Sequence, residues 1–297
     1  MMKTATYNKI AVVALIVAIA SLGIALLRHA PGESASAKKE TAFERVMRSR
    51  AIRCSYISRA HHFTIDSAAK QISGIDHDVM EAIGQLTHIN IVWNDETGVG
   101  AFPELLSSGK DDVHCVTMWT NVARSTRVIA SAPVLYTPVY AYVRADDARF
   151  DNNLEALNDE SVIISVADSG TMKAIADASF PKAKQFAVTG LSTEAELLMN
   201  VATRKADATF ADELAVHDYN KNNPDKQLKH IVGIAPLRTY SEAFDVAMGE
   251  WELRELLSAA INELHNNGTI DRILRQYENV PGEILRVTMP YAAGSKP

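Results

Sequence analysis

The stretch that decides the fold is residues 117–133, which reads Thr-Met-Trp-Thr-Asn-Val-Ala-Arg-Ser-Thr-Arg-Val-Ile-Ala-Ser-Ala-Pro. It directly follows the apolar run 113–116, which is typical of a buried β-strand. Since open α/β sheets bind ligands at the carboxyl ends of their strands, we expect its first residues to lie in a ligand-binding loop. Arg124 falls in or just after that loop, where its planar guanidinium can hold a carboxylate with two hydrogen bonds. From position alone, a solvated loop arginine fits Arg124 and Arg127 equally well.

The residues on either side resemble a known family. Residues 102–113 read Phe-Pro-Glu-Leu-Leu-Ser-Ser-Gly-Lys-Asp-Asp-Val, and residues 131–136 read Ser-Ala-Pro-Val-Leu-Tyr. This order of a leucine-rich helix, SGK-x-D, a strand, T-x-x-R and S-x-P-x-Y is similar to the amino-acid-binding family of extracellular solute-binding proteins of ABC transporters. The resemblance extends over most of residues 43–278, and no single motif carries it. It implies a type II periplasmic binding protein, in which two Rossmann-like α/β lobes close on a ligand about a two-segment hinge.

Hydrophobic periodicity independently predicts an α/β protein in which strands and helices alternate. The predicted strands are 51–56, 89–93, 113–116, 134–143, 162–166, 185–188, 208–211 and 244–248. The predicted helices are 75–86, 102–108, 171–179, 193–205, 213–220 and 251–264, followed by a further apolar helical face over 270–277. The first three strands form a βαβαβ unit, which demands right-handed crossovers and a parallel sheet.

The resemblance also implies where the two lobes begin and end. Lobe 1 would consist of residues 43–137 and 243–278, and lobe 2 of residues 138–242, with the ligand between them. Residues 279–297 form a C-terminal tail with Pro and Gly, and we assign it no role.

The N-terminal segment, residues 1–37, is predicted to direct export. Lys3 and Lys9 precede residues 10–27, a run of eighteen uncharged residues that is at the lower limit for a membrane span. A small-x-small cleavage site at residues 35–37 lies ten residues beyond that run. A cleaved signal peptide and an uncleaved signal-anchor in the inner membrane therefore both remain open, and either one places the rest of the chain in the periplasm.

Charge and motif content narrow the possible partners. The chain has a net charge of −6, which becomes −8 without residues 1–37, and this argues against a nucleic-acid or anionic-membrane surface. The histidine clusters at residues 61–62 and 76–78 lack the spacing of a metal site, so we expect no metal and no cofactor. The resemblance implies two partners, an amino acid or organic acid and the permease of an ABC transporter. The inner membrane would be a third if residues 10–27 are retained.

The resemblance implies a ligand site shaped for a zwitterion. Arg124 would hold the ligand's carboxylate. Asp212, in the run Arg-Lys-Ala-Asp-Ala-Thr-Phe-Ala-Asp-Glu, would bind the ammonium, and it also fits the N-cap of the next helix. Gly170-Thr171-Met172 resembles the family's GTT turn, which opens a helix whose free amides and dipole attract an anion. Met172 keeps the backbone donors of that turn but lacks one hydroxyl.

The remaining expected ligand-binding residues are Thr117, Trp119, Thr120 and Phe63. Trp119 stands where the family carries a small Ser or Thr that helps hold the ammonium, unless a one-residue shift gives that task to Thr120. A buried indole can stack on a ligand, and packing in the core fits Trp119 equally well. Phe63 ends residues 52–63, the run that aligns with the family's first strand and loop.

Three positions depart from the family in the side-chain pocket. Ile57 stands where binders of basic amino acids carry an acid, and Ala60 stands where many carry an aromatic residue. Val99 occupies the place of the usual stacking aromatic. A lysine or arginine ligand is therefore disfavoured.

The two cysteines, Cys54 and Cys115, lie in strands that the resembled fold makes neighbours. A periplasmic disulfide would be possible there. Cross-strand geometry between adjacent parallel strands is poor for a disulfide, so we expect two buried thiols instead.

Three functions fit the sequence. The favoured one is a solute-binding protein without catalytic residues. The second is a periplasmic enzyme on the same scaffold, similar to cyclohexadienyl dehydratase, for which Asp168, Glu213 and His61 are the candidate acids. The third is a membrane-tethered sensory domain that has lost ligand binding. No nucleophile motif, phosphate loop or metal spacing supports the enzyme.

Overall fold

The computed structural model describes residues 40–66, 71–98, 100–168, 170–189, 192–231, 235–279 and 284–287. The chain divides into two units, Met1–Glu40 and Thr41–Pro297, and the second is described here. The predicted export segment, residues 1–37, lies outside the described residues. Within these ranges, no helix is both long and apolar enough to cross a membrane.

Strands and helices alternate along the described part of the chain. The strands are β1 (Ala51–Tyr56), β2 (Thr64–Asp66), β3 (Gln71–Ser73), β4 (Asn90–Glu96), β5 (Val113–Trp119), β6 (Val128–Ala130), β7 (Leu135–Arg144), β8 (Ile163–Ala167), β9 (Lys184–Val188), β10 (Ala208–Ala211), β11 (Leu228–His230) and β12 (Arg238–Ala247). The α-helices are α1 (Ala42–Ser49), α2 (Ile75–Thr87), α3 (Phe102–Ser108), α4 (Val122–Ser125), α5 (Thr171–Ser179), α6 (Glu194–Ala202), α7 (Glu213–Asn222), α8 (Trp251–Asn266) and α9 (Thr269–Tyr277).

One mixed sheet organises the fold, with the strand order β4-β1-β5-β12-β7-β10-β8-β9. In its first half, β1 runs parallel to β4 and β5, and in its second half β8 runs parallel to β9 and β10. β12 is antiparallel to both β5 and β7, and β6 and β11 pair beside β12 and β7. The predicted α/β fold with parallel strands is confirmed.

The two halves of the sheet are joined by β7 and β12. Residues 135–139 of β7 pair with residues 238–242 of β12, one strand leading into the second half and the other returning from it. The predicted lobe boundaries, 137/138 and 242/243, fall on this antiparallel pair. The boundaries themselves remain a prediction.

The core of the first half lies between the sheet and the helices α2, α8 and α9. Helix α2 buries Ile75, Val79, Met80 and Ile83 completely, because these residues lie on one face at helical spacing. Full burial of a side chain of this size contributes about 1.5–3 kcal/mol. The second half has its own core, in which Phe180 and Phe210 stack with ring centroids 5.7 Å apart.

Two strands are longer than the sequence predicts. β5 continues through Trp119, so the expectation that the loop begins at Thr117 is wrong. β12 begins at Arg238, six residues before the predicted start. Both extensions belong to one interaction, because Glu242 of β12 lies opposite Trp119 of β5. Polar residues interrupt the apolar pattern at the ends of both strands, so the sequence predicts shorter strands. Hydrogen bonding between the two strands extends them nevertheless.

Cys54 and Cys115 form a disulfide, so the expectation of two thiols is wrong. Cys54 lies opposite Val113 on the neighbouring parallel strand, which puts Cys115 two residues farther along. Because side chains alternate with a period of two, this offset leaves both sulfurs on the same face of the sheet. The Cα atoms are 5.3 Å apart, within the ordinary range for a disulfide.

Part of the C-terminal tail packs on the first half, although the sequence suggested no role for it. Leu285 pairs with Tyr136 in a β-bridge, and Ile284 is buried in the first core. Arg286 forms ion pairs with Glu278 and Asp271.

The disulfide is expected to contribute strongly to stability. It joins cysteines 61 residues apart, and a loop of that length corresponds to about 4 kcal/mol of lost unfolded-state entropy. The double variant Cys54→Ala/Cys115→Ala should therefore unfold at a lower urea concentration than the oxidised protein. Oxidised protein treated with a reductant should match the variant, and an unchanged midpoint after complete reduction would contradict the expectation.

Candidate functional site

A cavity opens at the carboxyl ends of β1, β4, β5 and β8, and both halves of the sheet contribute to its lining. Five of the predicted site residues line it: Trp119, Arg124, Gly170, Thr171 and Met172. The other four predicted residues, Phe63, Thr117, Thr120 and Asp212, are not part of that lining in the described chain.

Two cations, Arg59 and Arg124, are in the described lining of this cavity, and Arg124 is the one without a hydrogen-bonded carboxylate. It lies in the short helix α4, whose N-cap residue Asn121 accepts a hydrogen bond from the Arg124 backbone N–H. The Arg124 Nη1 donates to the Trp119 carbonyl at 2.9 Å, and the guanidinium lies 5.5 Å from the centroid of the Phe102 ring. Among the described residues, Arg124 forms no ion pair.

Burial lowers the pKa of Arg124, and Asp245 opposes this effect only in part. The positive charge of Arg59 lowers it further. A guanidinium that is desolvated and repelled in this way gains from a bound anion.

Arg127 has a different environment. Its side chain is about half exposed and pairs with Glu104 on the surface of the first half. It does not line the cavity.

The opposite wall of the cavity is the N-terminus of α5. Gly170 caps this helix with φ of 106°, a left-handed conformation that favours glycine. The Asn121 Nδ2 donates to the Thr171 Oγ1 at 2.6 Å and so connects the Arg124 loop with the second half. Because the first amides of a helix have no partner within the helix, this wall can also receive an anion. The Met172 side chain packs partly against the second core.

Asp212 is fully engaged within the protein. Its Oδ1 accepts the Ala215 backbone N–H at 2.9 Å, which makes Asp212 the N-cap of α7. Its Oδ2 accepts a hydrogen bond from the Arg59 Nη2 at 2.8 Å. Only 4% of the side chain is exposed. Binding of a ligand ammonium by Asp212 remains a prediction, and in this structure Arg59 already donates a hydrogen bond to one of its oxygens.

Arg59 follows β1 and joins the two halves of the protein, and the sequence analysis did not identify it. Its Nη1 donates to Glu242 Oε2 at 2.8 Å and to the Thr117 carbonyl at 3.2 Å. Its Nη2 donates to Glu242 Oε1 at 3.1 Å as well as to Asp212. Burial disfavours the charge, but Glu242, Asp212 and Glu194 together raise the pKa of Arg59 well above its ordinary value.

Glu242 is the buried acceptor at the centre of this network. Besides Arg59, it accepts hydrogen bonds from the Trp119 Nε1 at 3.1 Å and the Thr137 Oγ1 at 2.6 Å. The Thr117 hydroxyl lies 2.8 Å from its Oε2. Burial raises the pKa of Glu242, but Arg59 and His62 outweigh it and lower the pKa to about 2. The carboxylate is therefore charged at any physiological pH.

Three predicted residues have clear structural roles. Phe63 is completely buried, with its ring centroid 4.8 Å from that of Tyr56 and 4.6 Å from that of Trp93. The Thr120 backbone N–H donates to the Ser241 carbonyl and continues the β5–β12 ladder. Trp119 both lines the cavity and packs in the second core.

The residues proposed for an enzyme are not in the described lining, although Asp168 lies between the lining residues Ala167 and Gly170. Asp168, Glu213 and His61 are not among the described residues that line the cavity. His61 instead contacts Asp218, with 2.8 Å between Nε2 and Oδ1.

Sequence analysis missed three charged residues at or next to the cavity, Arg59, Glu194 and Glu242. Arg59 lies between Ile57 and Ala60, two positions that were compared with the family for their side-chain size and charge. Glu242 directly precedes the apolar pair Ala243 and Phe244 in a strand, which is a usable signal for a buried ion pair. Glu194 is an ordinary first-turn acid of a helix, and nothing in its local sequence distinguishes it.

A second buried carboxyl, Asp245, interacts electrostatically with Arg124. Only 2% of Asp245 is exposed, and its Oδ2 has no hydrogen-bond partner in the described part of the protein. Burial raises the pKa of Asp245 to about 7, with Arg124 opposing the shift.

Comparison with known proteins gives a consistent result. The sequence signature of the bacterial extracellular solute-binding proteins, family 3, matches residues 52–280. A Campylobacter jejuni protein described as a probable histidine-binding protein is 24% identical over 213 residues, which cover 70% of this chain and 77% of the relative.

Solved structures of similar fold include two amino acid-binding proteins. The ancestral amino acid-binding protein AncCDT-1, a precursor of cyclohexadienyl dehydratase, superposes with a TM-score of 0.67 at 20% identity, covering 80% of this chain and 99% of its own. The arginine-, lysine-, histidine-binding protein ArtJ from Geobacillus stearothermophilus has a TM-score of 0.65 at 18% identity, covering 76% and 94%. At these identities the likeness establishes the fold.

The raised pKa of Asp245 predicts a pH dependence of stability. Between about pH 4 and pH 7 the folded protein keeps a proton on Asp245 that the unfolded chain releases, so the free energy of unfolding falls as the pH rises. In Asp245→Asn this fall should be smaller by about 2–4 kcal/mol. Urea unfolding at a series of pH values measures it. Asp225 is exposed, so the control variant Asp225→Asn should show the same change of unfolding free energy with pH as the wild type. If Asp245→Asn also shows the wild-type change, the raised pKa of Asp245 is contradicted.

Proposed function

This chain belongs to the bacterial extracellular solute-binding proteins of family 3, and we propose that it captures a small solute with a carboxylate group in the cavity beside Arg124. The observation that carries the proposal is the guanidinium of Arg124, which lines the cavity and forms no ion pair with any described residue. Burial and the charge of Arg59 both disfavour this cation in the absence of a counterion. A ligand carboxylate would supply the missing negative charge and accept up to two hydrogen bonds.

The N-terminus of α5 would complete the carboxylate site from the other side. Gly170 and Thr171 line the cavity there, and the first backbone amides of a helix favour negative charge by about 0.3–1 kcal/mol. Because Arg124 and α5 belong to different halves of the sheet, an anion held by both would draw the halves together.

The two halves would then act as the lobes of a hinged receptor. Lobe 1 would contain residues 43–137 and 243–278, and lobe 2 residues 138–242, with the paired strands β7 and β12 as the hinge. Closure about a two-segment hinge is a common response of binding proteins to their ligands.

Membership of an extracellular family supports a role in transport across the membrane. We propose that the closed, ligand-bound form delivers its solute to the permease of an ABC transporter. Whether residues 1–37 anchor the protein or are removed is a separate matter, and this proposal does not depend on it.

Membership of a family of solute-binding proteins favours binding without catalysis over a dehydratase-like reaction. The candidate acids Asp168, Glu213 and His61 are not among the described lining residues. The named ligands of the relatives, histidine, arginine and lysine, suggest that amino acids should head any panel of trial ligands.

The ligand can be found with purified protein and a panel of the common amino acids and small organic acids. A ligand that binds only the native state stabilises it by about 2.7 kcal/mol at a hundredfold excess over Kd. At least one member of the panel should therefore raise the melting temperature. If none does, the proposed function is wrong.

Arg124→Ala should weaken binding of that ligand by about tenfold to a hundredfold, because one or two charge-assisted hydrogen bonds are lost. Isothermal titration calorimetry measures the change. The matched control is Arg127→Ala, which removes the same charge three residues away but affects only a surface pair with Glu104, and affinity should stay within a few-fold. Equal loss in both variants would contradict the carboxylate assignment.

A further inference from the structure

The cavity contains an acidic side chain whose single ion-pair partner among the described residues does not hydrogen-bond to it. Glu194 is the first residue of α6 and lines the cavity. Its side chain is only 18% exposed, and its Oε2 lies 3.6 Å from the Arg59 Nε, which is an ion-pair distance but too long for a hydrogen bond. Within the described residues, the Glu194 carboxylate accepts no hydrogen bond.

Arg59 is not free to neutralise Glu194, because its other donors are committed elsewhere. Nη1 and Nη2 are both bonded to Glu242, and Nη2 is also bonded to Asp212. The guanidinium therefore bonds two carboxylates directly and only approaches the third. Asp212 in turn has both oxygens occupied and lies outside the described lining of the cavity.

The charges that face Glu194 can be named individually. Arg59 and His62 are the cations near it, and Asp212 and Glu242 are the anions. Burial has the largest effect, and together with Asp212 it raises the pKa of Glu194 to about 7, although Arg59 and His62 act against this shift. The deprotonated carboxylate is therefore short of positive charge, which a cationic group in the cavity would supply.

We propose that Glu194, rather than Asp212, receives the positively charged group of the ligand, while Arg124 receives its carboxylate. This inference rests on the proposed function and adds to it the residue that would receive the positive charge of the ligand. In this arrangement Arg59 stays bonded to Asp212 and Glu242 when the ligand is bound. Glu194 also gives the cavity an acidic side chain. The sequence-based prediction against a basic ligand considers the missing acid at Ile57 but not this one.

The first test compares Glu194→Gln with two other variants, using each amino acid that shifts the melting temperature of the wild type. Glu194→Gln should weaken binding at least tenfold in calorimetry at pH 8, because a hydrogen bond to a charged partner is lost. Glu196→Gln is the matched control, since it removes the same charge from the same helix turn at an exposed position, and its affinity should stay within about threefold. Asp212→Asn should lose less affinity than Glu194→Gln, although it removes one partner of Arg59.

The second test uses the wild-type protein and does not depend on how the variants fold. A bound cation favours the deprotonated form of Glu194, so ligand binding at pH 6 should release about one proton, and binding at pH 9 should release almost none. Calorimetry in two buffers that differ in ionisation enthalpy measures this number. In Glu194→Gln the release at pH 6 should disappear.

The possible outcomes separate this inference from the proposed function. If Asp212→Asn loses affinity and Glu194→Gln does not, the cation binds at Asp212 and the inference is wrong. If only acids without an ammonium or other cationic group bind, the inference is also wrong, while the carboxylate site at Arg124 stands. Unchanged proton release in Glu194→Gln would overturn it as well. If no amino or organic acid binds, both fail together.

Discussion

The guanidinium of Arg59 is held between two buried carboxylates, Glu242 and Asp212, and the architecture of the cavity depends on this contact. Glu242 belongs to a strand that joins the two halves of the sheet, and Asp212 caps a helix of the second half. Arg59 itself follows the first strand of the chain. One side chain therefore connects three distant parts of the sequence, and breaking such a buried pair by removing one partner costs about 3–5 kcal/mol.

This contact also determines what the cavity can offer a ligand. Asp212 does not line the cavity in the described chain. One of its oxygens accepts a hydrogen bond from Arg59, and the other caps helix α7. Of the four charged residues in the described lining, Arg59 is bonded to Glu242 and Asp212, and Glu96 is exposed to solvent. The guanidinium of Arg124 and the carboxylate of Glu194 remain as the more buried charges that have no hydrogen-bonded counterion. Neither is matched by the protein, since burial lowers the pKa of Arg124 and raises that of Glu194. The cavity thus keeps one desolvated charge of each sign, which is the complement of a zwitterion.

Much of the fold could be predicted from the sequence because local and distant preferences agree. The apolar spacing of Ile75, Val79 and Ile83 predicts a helix with one buried face, and the structure confirms it. The position of Arg124 after a buried strand predicts its place at the edge of the sheet. The predictions that failed depended on interactions between distant residues. The disulfide depends on a two-residue offset between parallel strands, and the extension of β5 to Trp119 depends on pairing with Glu242.

The contrast between local patterns and distant contacts also explains which residues of the candidate site could be predicted. Residues 170–172 could be identified because a strand, a glycine and a helix follow one another along the chain. Arg59 and Glu194 could not be assigned a role in the same way. Their charged partners lie more than a hundred residues away in the sequence, so no local pattern indicates these contacts. Resemblance to a family locates Asp212 as the residue expected to bind an ammonium group. It does not reveal that Arg59 already donates a hydrogen bond to Asp212 in this protein.

A crystal structure of the protein with its ligand tests this account most directly. We expect the ligand's carboxylate to lie within hydrogen-bond distance of the Arg124 guanidinium, and Arg59 to remain bonded to both Asp212 and Glu242. A structure in which Arg59 has moved away and the ligand's ammonium is bonded to Asp212 would contradict it.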